Sequence, residues 1–298
     1  MKSESKTTPI WFIHHLKSPV DGILIRYADR PVTGKKLNIL FLNGRSEWIE
    51  KYEDLPNDTK FGEDAYWVTM DHRGQGASEG LRSHVKSYDD FATDVEAVVK
   101  ATFKDEPYVI VAHSMGGLIA LYGTMTRVLH PQSLSLFSPL FGMLMPMPTI
   151  VARMLAGFMS IVSFLGNRST GAGSDRRKAF ERNPLTQSHA RFNLLNETQY
   201  KANAPTYSWV HATFRAFTVI FSRKYLKDLK IPISLMAGEE DLVVDRLVYE
   251  PWMKAWKEAS GKTLTFETVP NARHELLNED DRYRNKAITF LNDSISVL

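Results

Sequence analysis

The sequence predicts an α/β fold: a mostly parallel sheet of eight strands, helices on both faces, and one helical insertion. Three observations point there. Short apolar runs recur along the chain, helical stretches separate them, and the alternation breaks once, between 139 and 230. The runs are 10–16 "IWFIHHL", 22–27 "GILIRY", 37–42 "LNILFL", 65–70 "AYWVTM", 107–112 "PYVIVA", 133–138 "SLSLFS", 231–237 "IPISLMA" and 263–269 "TLTFETV". The first two alternate in part and suit an edge hairpin. The later ones are near-continuous apolar runs, as strands buried on both faces should be.

The clearest helix starts at Ser87. "SYDD" reads as a capping box, with Asp90 three residues on, and Phe91, Val95, Val98 and Phe103 follow at helical spacing. A second helix is expected from Ser114 to about Leu129 and a third over roughly 247–259. Strand, helix, strand in alternation argues for a parallel sheet. In the insertion, 143–165 "MLMPMPTIVARMLAGFMSIVSFL" is long enough to span a bilayer. Arg153 at its middle, two prolines near its start and its internal position favour a buried or lid-like helix instead. "GNRSTGAGSDRRK" at 166–178 reads as a flexible loop, and helical-looking residues run on to "FSRKYLKDL". The expected division is a core of 1–138 and 231–298 with a helical cap at 139–230.

Composition bounds the function. With 298 residues, 43% hydrophobic and 24% charged, the chain suits one α/β domain plus an insertion. Its net charge of +3 is mild and its basic and acidic residues are mixed, which argues against nucleic acid. It has no cysteine, so no disulfide framework, thiolate nucleophile or cysteine zinc site. "MKSESKTTPIWFIHH" holds no apolar core of signal-peptide length, so a cytoplasmic location is expected.

Residues 109–117, "VIVAHSMGG", raise the question of chemistry. Ser114 follows a buried strand and precedes a helix, the context of a nucleophile elbow. The positions two before and two after it must be small, and they are Ala112 and Gly116. A serine hydroxyl needs a base, and the base an orienting acid. In such sheets the chain order is serine, acid, histidine. "AGEEDLVVD" (237–245) places acids past one strand, and "VPNARHELLNE" (269–279) places His274 past the last. Both lie at strand C-terminal ends, where ligands bind in open α/β sheets.

Other features have plainer readings. "GQGASEG" at 74–80 has one residue too many for a dinucleotide fingerprint and reads as a structural loop. Asp71 and Arg73 would brace that loop. His113 is expected to point away from the site in a packing role. "HELLN" lacks the second histidine of a zinc-binding helix, and His14 and His15 fall on opposite strand faces.

Six segments in order carry a resemblance over nearly the whole chain: "FLNGRSEWIEKY" (41–52), "DHRGQGASEG" (71–80), "AHSMGG" (112–117), "NPLTQSHARF" (183–192), "GEEDLVVD" (238–245) and "RHELLNE" (273–279). The sequence resembles the monoacylglycerol lipase and lysophospholipase group of α/β hydrolases. The resemblance implies Ser114 as nucleophile, Asp241 as acid (with Glu240 and Asp245 as neighbouring rivals) and His274 as base. It implies an oxyanion hole from the backbone N–H groups of Arg45 and Met115. Asn43 departs from the histidine or proline that the group has before the glycine. No metal or organic cofactor is implied.

The implied substrate is a lysophospholipid or a monoacylglycerol. Arg45 or Arg73 would meet a phosphate head group, unless Arg45 pairs with Glu47 or Glu50. Met143, Met145, Met147, Met154 and Met159 would line an acyl tunnel or pack the cap on the sheet. The cap would also touch the inner face of a membrane. The alternatives are an S33-type aminopeptidase, a short-chain esterase, or a non-catalytic lipid-binding module. The aminopeptidase would want an acidic subsite for a free amine, and 139–165 offers none.

Overall fold

The computed structural model describes residues 11–144, 148–161, 163–171, 179–200 and 203–296. Its strands are β1 (Phe12–Lys17), β2 (Leu24–Arg30), β3 (Leu37–Leu42), β4 (Ala65–Met70), β5 (Val109–His113), β6 (Leu134–Phe137), β7 (Ile233–Gly238) and β8 (Thr265–Val269). Its helices are α1 (Leu55–Asp58), α2 (Tyr88–Thr102), α3 (Met115–Met125), α4 (Thr149–Ile161), α5 (Ser163–Gly166), α6 (His189–Glu197), α7 (Tyr207–Ile220), α8 (Arg223–Leu226), α9 (Tyr249–Ser260) and α10 (Asp281–Ser296).

The strands form one eight-stranded sheet in the order β1-β2-β4-β3-β5-β6-β7-β8. β1 and β2 make the expected edge hairpin, and β2 meets β4 antiparallel. All other pairings are parallel. The near-continuous apolar strands have a physical cause. Successive side chains point to opposite faces, and each face carries its own core. In β3, Leu40 and Leu42 join the core shared with α2, α3, α7 and α9, while Ile39 and Phe41 join the core shared with α10. Ile110 and Ala112 of β5 divide from Val109 and Val111 in the same way. β8 departs from this reading. It closes the sheet, and Thr265, Glu267 and Thr268 are exposed.

α2 buries Phe91, Val95 and Val98 as its spacing requires. Its cap differs in detail from the expected box. The Ser87 hydroxyl accepts from the Asp89 N–H at 3.2 Å and donates to the Asp89 carboxylate, while the Asp90 N–H bonds to the Ser87 carbonyl. α3 ends at Met125, short of Leu129. Between β6 and β7 the described residues form helices α4 to α8, with isolated bridges at Met143–Val244 and Ser169–Thr206. Among the described residues no helix is long and apolar enough to cross a membrane; α4 and α5 take up part of the apolar run.

Because β3, β5, β6, β7 and β8 run parallel, their C-terminal ends share one edge of the sheet. The strand order reverses between β3 and β5, so the loops that leave those two strands diverge and open a crevice there. The loop after β4 braces the rim of this crevice. Asp71, fully buried, accepts from the Ile49 N–H at 2.9 Å, the Ala77 N–H at 2.8 Å and Arg26 Nη1 at 3.0 Å. Asp71→Ala leaves two buried N–H groups without an acceptor and takes one of two carboxylates from Arg26, and should lower unfolding free energy by about 3 kcal/mol in urea titration. Asp64→Ala at the exposed Lys36 pair should leave the midpoint nearly unmoved.

Candidate active site

β5 delivers Ser114 on a sharp turn. Its backbone has φ 53° and ψ −117°, a region that L-residues rarely adopt. Its N–H donates to the Phe137 carbonyl at 3.0 Å, and its carbonyl accepts from Gly117 and Leu118 in the first turn of α3. The turn presses against β3. A Cβ at Gly116 would lie 2.3 Å from the Leu42 carbonyl oxygen, so only glycine fits.

The loops after β7 and β8 bring two partners. His274 Nε2 lies 2.9 Å from Ser114 Oγ, and His274 Nδ1 lies 2.7 Å from Asp241 Oδ2. A carboxylate can only accept, so Nδ1 carries the proton and Nε2 receives the serine O–H. Asp241 Oδ1 accepts from the Val243 N–H at 2.8 Å and the Val244 N–H at 3.1 Å. Burial opposes its ionisation, yet His274 and these N–H groups hold its carboxyl below the usual range. Of the rivals, Glu240 is exposed and Asp245 accepts from the Leu247 N–H. The two loops meet closely: a Cβ at Gly238 would stand 2.2 Å from the Arg273 carbonyl oxygen.

Arg45 and Met115 both line the cavity in front of Ser114. Met115 opens α3, so helix geometry leaves its N–H without an intrahelical partner. On either side of Arg45 the loop is pinned, with the Gly44 N–H bonded to Glu47 Oε2 and the Ser46 N–H to Gln75 Oε1 at 2.7 Å. The Arg45 side chain donates to the Asn203 carbonyl at 2.7 Å and stacks over Trp209. It pairs with neither expected acid: Glu47 holds Lys51, and Glu50 holds Arg26.

Arg73 corrects an expectation. Its guanidinium is engaged by Asp94 through Nε at 2.6 Å, by Asp21 at 3.0 Å and by the Ser18 hydroxyl at 2.9 Å, and it does not line the cavity. Bracing is its structural part. His113 also departs from pure packing, since its ring lies against His274 and bonds Glu47. Met143 lines the cavity, while Met145 and Met147 lie outside the described residues. Met154 is 69% exposed.

The cavity encloses about 660 Å³, within the range of small-molecule sites. Its lining combines the polar side chains of Glu47, Lys51, His113, Ser114, His274 and Glu275 with the apolar ones of Leu140, Met143, Ala152, Ala156, Trp209 and Val244. Among the described residues no group of three or more His, Asp or Glu side chains is placed to hold a metal ion. The arrangement can pass the Ser114 proton to His274 while Asp241 faces the resulting charge.

Sequence reading attached no role to "NPLTQSHARF" beyond resemblance. Here it grips the His274 loop. Glu279 Oε2 accepts from the Thr186 hydroxyl at 3.1 Å and the Gln187 N–H at 2.6 Å, and its Oε1 accepts from the Arg273 N–H at 3.1 Å. Arg273 Nη1 donates to the Thr186 carbonyl at 3.0 Å, and the Glu275 N–H to the Leu185 carbonyl at 2.9 Å. Asn183 holds the turn, its side-chain oxygen accepting from the Leu185 and Thr186 N–H groups.

Comparison with known proteins agrees with this architecture. A family model described as serine aminopeptidase, S33 matches residues 34–281. The probable lysophospholipase L2 of Haemophilus influenzae is 29% identical over 285 residues, covering 91% of this chain and 88% of that one. Lysophospholipase L2 of Escherichia coli strain K12 is 28% identical over 297 residues, covering 92% and 84%. A monoglyceride lipase structure from Saccharomyces cerevisiae, a soluble variant with a substrate analogue, superposes with TM-score 0.75 at 18% identity, over 97% of this chain and 95% of that one. The fold is that of the α/β hydrolases.

Glu279→Ala should free both loops at once. Amide exchange is expected to speed up several-fold in 271–279 and 185–188 while β5 and β6 stay protected, as measured by mass spectrometry. Unchanged exchange in both segments would deny the clamp.

Proposed function

The chain belongs to the serine aminopeptidase S33 family of α/β hydrolases, and from that premise we propose that it cleaves the fatty-acyl ester of a lysophospholipid or a monoacylglycerol. The observation that carries this reading is the hydrogen-bonded series Ser114–His274–Asp241 opening on a cavity with a largely apolar lining. The acyl chain lies along the apolar walls.

In the proposed reaction His274 Nε2 takes the Ser114 proton as Oγ attacks the ester carbonyl. Asp241 keeps the imidazole in the required tautomer and faces its new charge. The N–H groups of Arg45 and Met115 receive the developing oxyanion, donors worth about 3 kcal/mol each in such sites. The protonated His274 then gives its proton to the leaving alcohol. Water, deprotonated by the same ring, releases the fatty acid from the acyl-enzyme. Strain at Ser114 serves this step by holding Oγ clear of the strand.

The family's description names a peptidase, but a free substrate amine would want an unmatched carboxylate. Glu47 and Glu275 both line the cavity and both already face Lys51, which favours the ester. Helices α4 and α7 and the segment before α7 act as a cap over the cavity, with Ala152, Leu155, Pro205 and Val210 in its wall. α4 turns Ala152 and Ala156 inward and leaves Ile150, Met154, Phe158 and Ile161 between 63% and 81% exposed. Such a face suits the surface of a lipid aggregate, where the substrate resides.

Fatty-acid release from a monoacylglycerol and a lysophospholipid of equal chain length, with Ser114→Ala as the blank, tests the reading. Release from at least one, abolished in the variant, is expected; release from neither would overturn the lipid assignment. Phe158→Asp with Ile161→Asp should cut co-sedimentation with lipid vesicles several-fold while hydrolysis of a short water-soluble ester persists.

A further inference from the structure

Beneath Ser114 and His274 lies a set of buried charges that the proposed reaction does not use. Lys51 Nζ sits 2.6 Å from Glu47 Oε1 and 2.7 Å from Glu275 Oε1, and none of the three side chains is more than 5% exposed. Two carboxylates against one ammonium leave one negative charge unmatched in the interior, a costly state. His113, 1% exposed, borders the same set, with Nδ1 3.2 Å from Glu47 Oε2.

The hydrogen bonds around the His113 ring decide its protonation. Nδ1 faces the Glu47 carboxylate, which can only accept. It also faces the Tyr52 hydroxyl at 3.4 Å, whose own proton goes to Glu47 Oε1 at 3.0 Å, so lone pairs point at the ring. Nε2 lies 3.3 Å from the backbone carbonyl oxygen of His274, again an acceptor alone. A neutral imidazole would set one nitrogen lone pair against an acceptor. The acceptors on both sides favour a ring that donates from both nitrogens.

We propose that His113 is a protonated imidazolium in the resting protein, completing an electrically neutral buried quartet with Glu47, Lys51 and Glu275, and that it positions and electrostatically guards His274. The second part rests on His274 being the base. The groups facing the ring are Glu47, Lys51 and Tyr52 from the segment after β3, and His274 and Glu275 from the loop after β8. Burial opposes charge on His113, but Glu47 and Glu275 outweigh it and raise its affinity for a proton. Burial likewise opposes charge on Glu47, yet Lys51 and His113 hold its carboxyl well below the ordinary range.

The consequence reaches the site through two contacts. The Nε2–H bond pins the backbone of the residue whose ring must swing neither toward nor away from Ser114. The two rings lie 4.8 Å apart between centroids, so a fixed cation on one opposes a second proton on the other. Lys51 cannot do this, because its charge is closed between two carboxylates.

Two measurements decide it. In the full chain with nitrogen-labelled histidine, imidazole NMR correlations assigned through bonds should show both His113 ring nitrogens protonated at neutral pH. A single neutral tautomer there would overturn the quartet, whatever reaction the protein performs. Second, His113→Gln leaves the cluster one charge negative. The acid limb of kcat/KM should then move up by about one pH unit with KM little changed. The added change Glu47→Gln restores neutrality and should return the limb toward its original position. An acid limb unmoved in His113→Gln would leave a charged but merely structural histidine and remove the guarding role. If His113→Gln fails to fold, the NMR measurement on the unaltered chain still decides the protonation.

Discussion

Everything at this site depends on the positive-φ backbone of Ser114, at the one place where a parallel strand must stop and reverse into a helix. Such a conformation costs about 1–3 kcal/mol and persists only where its surroundings over-determine it. Here they do. The Ser114 N–H is taken by β6, its carbonyl by three N–H groups, including that of Leu140, and the following glycine lies flat on the end of β3. Two hydrophobic cores clamp the strand from both faces, so the strain is carried by the whole sheet.

From that point the geometry follows by parallelism. Strands that run the same way end on the same edge, so loops more than a hundred residues apart in the chain converge within hydrogen-bonding reach. The loops themselves are fixed by polar bonds. Glu47 and Gln75 pin the loop of Arg45 on either side, Glu279 and Thr186 grip the loop of His274, and Lys51 ties the two together through Glu47 and Glu275. Segment 183–191 thus holds the His274 loop, and its Leu185 lines the cavity. Arg191 of α6 adds a bond to Asp54 of the core.

The parts legible in the sequence are those set by local pattern. Strands β3 and β5 announce themselves because burial on both faces demands apolar residues without interruption. The elbow is legible because close backbone approach demands a small residue at Ala112 and excludes any side chain at Gly116. β8 misled because apolar residues at a sheet edge resemble those at its centre. Arg73 misled for another reason. Its partners come from two distant segments, Ser18 and Asp21 from the turn between β1 and β2 and Asp94 from α2, and no local period encodes that meeting. The same holds for Glu47, Lys51 and Glu275, whose meaning arises only when two loops close on each other. For His113 the strand pattern gave a buried ring but not the acceptors around it.

The most direct test of the central claim is covalent. The purified chain is exposed to a serine-reactive fluorophosphonate, and the adduct is located by intact mass and peptide mapping. One adduct on Ser114, absent from Ser114→Ala, is the result expected of an activated nucleophile on this elbow. No adduct, or one on another serine that persists in Ser114→Ala, would contradict it.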